Sequence, residues 1–246
     1  MSPTLKELEM EINEVERYTN EEMEQKLGKI HNIDCLEFMR KVPDDYFDLV
    51  LTDIPYEECD IENNGLWTKA WDNMEKADKK TFDIEIFLKE IDRICCGSFY
   101  IFCGIEQIST ITKYFKKKHT TRLIIWEKTN PTPINAEYVF LSGIESCVWA
   151  KKGGSTFNEF FKNTVFKYPK GEDKTDHPTT KPINLFKEFI RISTNEGNKI
   201  FDPCIGSGTT AIASQSLGRK WCGCELEPDY IEIANKRLSK VQLSLF

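Results

Sequence analysis

No run of apolar residues in the 246-residue chain approaches the ~20 that a membrane-spanning helix needs. The acidic opening, Met1 to Lys26, lacks the basic-then-apolar layout of a signal peptide, so a cytoplasmic protein is expected. Histidine is scarce, with three in all. Cys222 and Cys224 have the alternate spacing of a strand, not the two-residue gap of a zinc knuckle, so no metal site is expected. The nine cysteines are odd in number and lie mostly in apolar segments, as at Cys95, Cys96, Cys103 and Cys147. They read as reduced, buried thiols. Internal repeats and low-complexity linkers are absent as well.

Positive charge is not in excess either. The net charge of −7 weighs against a nucleic-acid partner, because phosphate binding is driven by Lys and Arg. The distribution matters more than the sum. Acidic residues gather in the first 25 or so positions and in Glu57 to Asp92, whereas Lys113 to Arg122 and Lys151 to Lys181 are basic. A basic face on an acidic protein and a merely solvated lysine-rich surface both fit.

The length suits one α/β domain, since single domains run to roughly 250 residues. Residues 1–28 read as a charged helical extension with Leu5, Leu8, Ile12 and Val15 on one face and Gly28 as its cap. Residues 29–246 then alternate strands and helices. Expected strands are Lys29 to Ile33, Phe47 to Thr52, Ser98 to Cys103, Arg122 to Trp126, Glu145 to Ala150, Lys199 to Asp202 and Lys220 to Glu225. Such a pattern implies a doubly wound, mostly parallel sheet. Its ligands would sit at the carboxyl ends of the strands. Two stretches look irregular, Glu57 to Lys80 and Asn130 to His177.

Lys199 to Thr210 passes from a strand through Asp202, Pro203, Cys204 and Ile205 to Gly206-Ser207-Gly208 and into a helix at Thr209 and Thr210. The glycines let a nucleoside approach the backbone. No Gly-Lys-Ser/Thr follows, which excludes a P-loop, and Ala211 takes the third glycine position of the dinucleotide fingerprint. A purely structural turn is an equal reading of the glycines alone. Glu225 ends the next strand, where a carboxylate accepts ribose hydroxyls. The pairing points to a nucleoside without phosphates, of which S-adenosylmethionine is one.

Phe47 to Thr52 leads into Asp53-Ile54-Pro55-Tyr56. An exocyclic base amine is a poor nucleophile, because its lone pair is delocalised into the ring. The Asp53 carboxylate and the Ile54 carbonyl offer two acceptors for its hydrogens, and Tyr56 offers a face for a base taken out of its stack. Methyl transfer from a sulfonium needs positioning more than a strong base. By itself the tetrapeptide is also an ordinary β-turn.

Together these residues resemble the S-adenosylmethionine-dependent DNA amino-methyltransferases, the N6-adenine and N4-cytosine family, in the permuted order that puts the catalytic tetrapeptide before the cofactor loop. Asp53 to Tyr56 is similar to the family's Asp/Asn/Ser-Pro-Pro-Tyr, with Ile54 in place of the first proline. Phe201 to Thr210 resembles its Asp-Pro-Phe-x-Gly-Ser-Gly-Thr-Thr loop, with Cys204-Ile205 replacing the usual pair. His177-Pro178-Thr179-Thr180-Lys181-Pro182 looks like the segment that closes the methionine end of the site. The resemblance implies a Rossmann-like methyltransferase fold and Asp53, Ile54, Pro55 and Tyr56 as catalytic residues. It further implies cofactor contacts by Asp34, Thr179, Lys181, Asp202, Pro203, Gly206, Ser207, Gly208, Thr209, Thr210 and Glu225. Asp at position 53 leans toward adenine, Ser being commoner for cytosine.

Where this class places target recognition, about residues 130–176, the chain carries Lys151, Lys152, Lys162, Lys167, Lys170 and Lys174 among Phe157, Phe160, Phe161, Phe166 and Tyr168. The mixture suits double-stranded DNA. Trp67 and Trp71 read as a cover over a flipped base or as packing anchors. The small recognition segment implies a short target or a second copy of the chain, a homodimer. Cytosine as the target, a protein or RNA amine, and a non-catalytic module are the alternatives.

Overall fold

The computed structural model describes residues 15–56, 82–133, 136–171 and 180–243. The elements in chain order are α1 (Asn20–Glu24), β1 (Lys29–Asn32), α2 (Cys35–Lys41), β2 (Phe47–Asp53), α3 (Ile84–Ile94), β3 (Cys95–Cys103), α4 (Ile105–Lys116) and β4 (Thr120–Lys128). There follow β5 (Ile144–Lys151), β6 (Val165–Tyr168), α5 (Ile183–Ser193), β7 (Lys199–Asp202), α6 (Thr209–Ser216), β8 (Lys220–Glu225) and α7 (Pro228–Leu243). The strands form one sheet in the order β1-β8-β7-β2-β3-β5-β4-β6. All pairings are parallel except those of β5, which runs against β3 and β4.

Alternation along the strands divides the core in two. Val50, Phe99, Ile101, Val148, Ala150 and Phe201 face α2, α3 and α4, where Phe38, Phe87, Ile91 and Phe115 cover them. Leu49, Leu51, Tyr100, Phe102, Cys147 and Ile200 face α5, α6 and α7, under Phe186, Phe189, Ile212 and Leu238. Burial on both faces explains why these strands read as unbroken apolar runs rather than alternating ones. The result is a three-layer α/β/α fold, as the sequence implied. Among the described residues no helix is long and apolar enough to cross a membrane.

The order of strands reverses between β2 and β7, because the chain leaves β2 toward β3 and leaves β7 toward β8. That reversal opens a crevice at the carboxyl edge, flanked by the loops after β2 and β7.

Two expectations need correction. Within the described part of the stretch expected as a helix, residues 15–28, helix is confined to α1, whose N-cap Thr19 forms a capping box with Glu22. Val15 is not helical, and Leu5, Leu8 and Ile12 lie outside the described residues. Gly28, with φ of 72°, ends a turn after α1 and donates its amide to Trp221 O at 2.6 Å. Second, the stretch read as irregular after Ala150 contains β6, a further strand of the main sheet. Phe166 is buried there, and Tyr168 accepts from the Trp126 indole at 2.9 Å.

Candidate active site

Four acidic residues stand at successive carboxyl ends of the sheet. Asp34 follows β1, and Glu225, Asp202 and Asp53 end β8, β7 and β2. Asp34 caps α2 by accepting from the Leu36 and Glu37 amides at 2.9 and 3.2 Å through one oxygen. No described residue donates to its other oxygen. Glu225 accepts the Leu226 and Glu227 amides on Oε1 and the Gly206 amide on Oε2, all at 2.9 Å. A carboxylate offers about four acceptor positions, so one on Oε2 is left. Burial pushes the Glu225 carboxyl up, with the three amides opposing.

The glycine loop is fixed from both sides. Gly208 has φ of 81°, and a Cβ there would stand 2.9 Å from the Ala234 Cβ of α7. Only glycine meets both demands. Gly223 of β8 similarly clears the way for Ile205, whose Cδ1 would lie 2.4 Å from an added Cβ. Beneath the loop Asp202 accepts from Thr210 Oγ1 at 2.5 Å and the Cys204 amide at 3.1 Å. Its carboxylate is therefore turned inward, and with Pro203, Thr209 and Thr210 it is buried. From the far side the Arg237 guanidinium donates to Ser207 O and Oγ at 2.5 and 2.9 Å. Gly206 and Cys204 keep partial exposure toward the crevice.

At the end of β2, Ile54 is 2% exposed and packs in the core beside Val50 and Cys103. Burying such a side chain contributes roughly 1.5–3 kcal/mol, which anchors the loop where the family's proline would stiffen it. The Ile54 amide donates to Phe102 O at 3.2 Å. The Pro55 carbonyl accepts from Gln107 Nε2 at 2.8 Å, and the Gln107 Oε1 accepts from the Gly104 amide at 3.0 Å. Among the described residues nothing donates to the Ile54 carbonyl, the backbone acceptor the loop has left. The Tyr56 ring packs against Gly104, is 38% exposed, and donates its hydroxyl to Asp53 Oδ1 at 3.0 Å.

Lys181, assigned to the cofactor on sequence grounds, sends its ammonium to the loop that begins at Asp53. It pairs with Asp53 Oδ2 and lies 3.0 Å from Glu145 Oε2, while Lys128 Nζ holds Glu145 Oε1 at 2.9 Å. Its backbone remains at the glycine loop, where its carbonyl accepts from Thr209 Oγ1 at 3.5 Å and Thr180 meets Ser207 at 3.4 Å. One residue thus ties the two loops together. Burial raises the Asp53 carboxyl above the usual range and Glu145 adds to this, against Lys181 and the Tyr56 hydroxyl. Burial also works to discharge Lys181, but Asp53 and Glu145 outweigh it and keep the ammonium charged.

Sequence reasoning missed Glu145, Gln107 and Arg237. None belongs to a recognisable motif; each is found only through the fold. Thr179, His177, Lys174, Trp67 and Trp71 lie outside the described residues. The proposed DNA-contacting lysines do not gather. Lys151 pairs with Ser98 at the start of β3, so it and Lys152 stand at the edge opposite Asp53. Lys152 is engaged by Asp45 at 3.0 Å, Lys162 by Glu188 and Lys167 by Glu127 at 2.9 Å. Lys170 follows β6 on the side of the crevice, its backbone amide held by Asn130 Oδ1 at 2.7 Å. Phe166 and Tyr168 are packing residues, whereas Phe160 and Phe161 are exposed. At the crevice edge, just before β5, Tyr138 is 84% and Phe140 fully exposed.

Comparison with known proteins agrees with this geometry. A family model described as DNA methylase matches residues 47–236. The type II methyltransferase M2.DpnII of Streptococcus pneumoniae is 27% identical over 241 residues, covering 87% of this chain and 90% of that protein. The crystal structure of the M1.HpyAVI–SAM complex aligns with a TM-score of 0.65 at 28% identity, over 85% of this chain and 99% of the other. The cytosine-N4-specific PvuII DNA methyltransferase, 17% identical, covers 87% of this chain and 90% of its own with a TM-score of 0.67, a likeness of fold.

Proposed function

Because the chain belongs to the N6/N4 family of DNA methylases, we propose that it methylates adenine, using S-adenosylmethionine to modify the N6 amine of a base swung out of duplex DNA. The cofactor fits the residues present. Glu225 has an acceptor position for ribose hydroxyls, Asp34 has an unused oxygen for a nucleobase amine, and the partly exposed Gly206 lets the nucleoside lie on the backbone. The methionine end falls to the glycine loop and the Thr180–Lys181 segment. When bound, the cofactor supplies an electrophilic methyl group on a sulfonium.

The chain's own residues then arrange the nucleophile. Asp53 and the Ile54 carbonyl accept the two amine hydrogens, which draws the nitrogen lone pair out of conjugation and toward the methyl carbon. An amine that had gained the methyl group would carry one proton too many, for which Asp53 is the acceptor at hand. Tyr56 offers its open ring face to the base, replacing stacking lost on leaving the duplex. Tyr138 and Phe140 beside the crevice are placed to fill the vacated step, and Lys170 to meet a phosphate. The observation that carries the reading is the Asp53 carboxylate beside the free Ile54 carbonyl and Tyr56 ring, at the mouth of the glycine-loop crevice.

Asp53→Ala is expected to lower transfer of labelled methyl to duplex DNA about a hundredfold or more. Its affinity for S-adenosylmethionine, measured by calorimetry, should stay within about twofold of wild type. A parallel loss of cofactor binding would remove Asp53 from the chemistry.

A further inference from the structure

Glu145 has no part in the transfer as derived so far, yet it sits at its centre. It is brought there because β5 runs backwards, so that the start of this strand, not its end, meets the carboxyl ends of β2 and β3. Its carboxylate is mostly buried between two ammonium groups, Lys128 from β4 and Lys181 from the segment before α5. Four charges of alternating sign therefore run Lys128, Glu145, Lys181, Asp53, and the Tyr56 hydroxyl closes the row.

The arrangement solves a conflict in the demands on Asp53. A carboxylate in this crevice needs a cation beside it, or burial will protonate it and end its use as an acceptor. A cation bound to Asp53 alone would compete with the amine of the base for the same oxygens. Sharing the ammonium with a second carboxylate satisfies both demands. We propose that Glu145 is a positioning residue for methyl transfer: it takes a share of the Lys181 ammonium, so that Asp53, which that ammonium keeps charged, retains oxygen lone pairs for the target amine. The proposal rests on the reading of Asp53 as the acceptor of that amine.

Among the described residues, the charged and titratable groups facing Asp53 are Lys181, Glu145, the Tyr56 hydroxyl, Cys103 of β3, Cys147 of β5 and Asp202 of β7. Those facing Glu145 are Lys128, Lys181, Asp53 and the Tyr56 hydroxyl. Glu145→Gln removes one negative charge from this group and leaves the Lys181 ammonium to Asp53 alone. Lys128→Met leaves Glu145 with a single cation, which draws Lys181 from Asp53 and deepens the negative field there. The two variants therefore act on Asp53 in opposite directions.

The experiment is the pH dependence of kcat for methyl transfer to duplex DNA by the full chain and both variants, with cofactor affinity measured alongside. For Glu145→Gln the expected result is a kcat lower by roughly ten- to a hundredfold, unchanged affinity for S-adenosylmethionine, and an acid limb moved to lower pH. For Lys128→Met the acid limb moves to higher pH. Wild-type kcat and pH profile in Glu145→Gln, or displacement of both variants in one direction, overturns the proposal. Should Glu145→Gln fail to fold, the direction in Lys128→Met decides alone: upward supports, downward or none overturns. A wild type inactive on every DNA offered would sink the functional reading and this proposal together, whereas an active wild type with an indifferent Glu145→Gln sinks this proposal only.

Discussion

Beneath the glycine loop, burial pushes the Asp202 carboxyl up to about 7, opposed most by the Thr210 hydroxyl. In the unfolded chain an aspartate titrates near about 3.9. Between these values the native state holds a proton that the unfolded state has lost, so stability falls as pH rises through that window and levels off above it. Wild type is expected to melt at lower temperature near about pH 8 than near about pH 5, with Asp202→Asn losing part of that decline. Parallel melting curves against pH for the two proteins would contradict the assignment. Residue identity was largely legible in the sequence, since Asp53, Tyr56, Gly206, Gly208 and Glu225 all meet at one crevice. Orientation was not. Nothing in the order of residues says that Asp202 faces inward to Thr210, or that Lys181 reaches past the cofactor loop to Asp53.

Strand direction decides which charges reach the crevice. A mostly parallel sheet was expected, and the one reversed strand, β5, exchanges the roles of its two ends. Glu145 comes to Asp53, while Lys151 and Lys152 go to the far edge, where Lys152 is already engaged by Asp45. Strand β6 runs parallel to β4 and carries Lys170 toward the crevice. Hence Lys170→Ala should weaken duplex DNA binding and lower the slope of log affinity against log salt by about 0.9, the value for one lost phosphate contact. Lys151→Ala and Lys152→Ala should leave both quantities near wild type in the same titration. The opposite ranking would put the DNA on the other edge. The reversal escaped sequence reading because a buried strand shows the same apolar run in either direction. β6 escaped because four residues, Val165 to Tyr168, are too few to display a period.

Across the whole molecule, the net charge of −7 does not set the charge that the crevice presents to the proposed DNA substrate. The acidic residues of the crevice are consumed by amides, hydroxyls and ammonium groups rather than left facing a phosphate chain. The two halves of the sheet divide the work. β1, β8 and β7 bring Asp34, Glu225 and the glycine loop to the side proposed for the cofactor, and β2, β3 and β5 bring Asp53, Gly104 and Glu145 to the side proposed for the target base. The family match and that division agree, and the proposal of adenine as the target base rests on Asp53, whose carboxylate resembles that of the adenine-directed members. The most direct test is to incubate the protein with isotopically labelled S-adenosylmethionine and unmethylated genomic DNA, digest the product to nucleosides, and identify the labelled one by mass. Label in N6-methyladenine is the predicted result; label in N4-methylcytosine would contradict it.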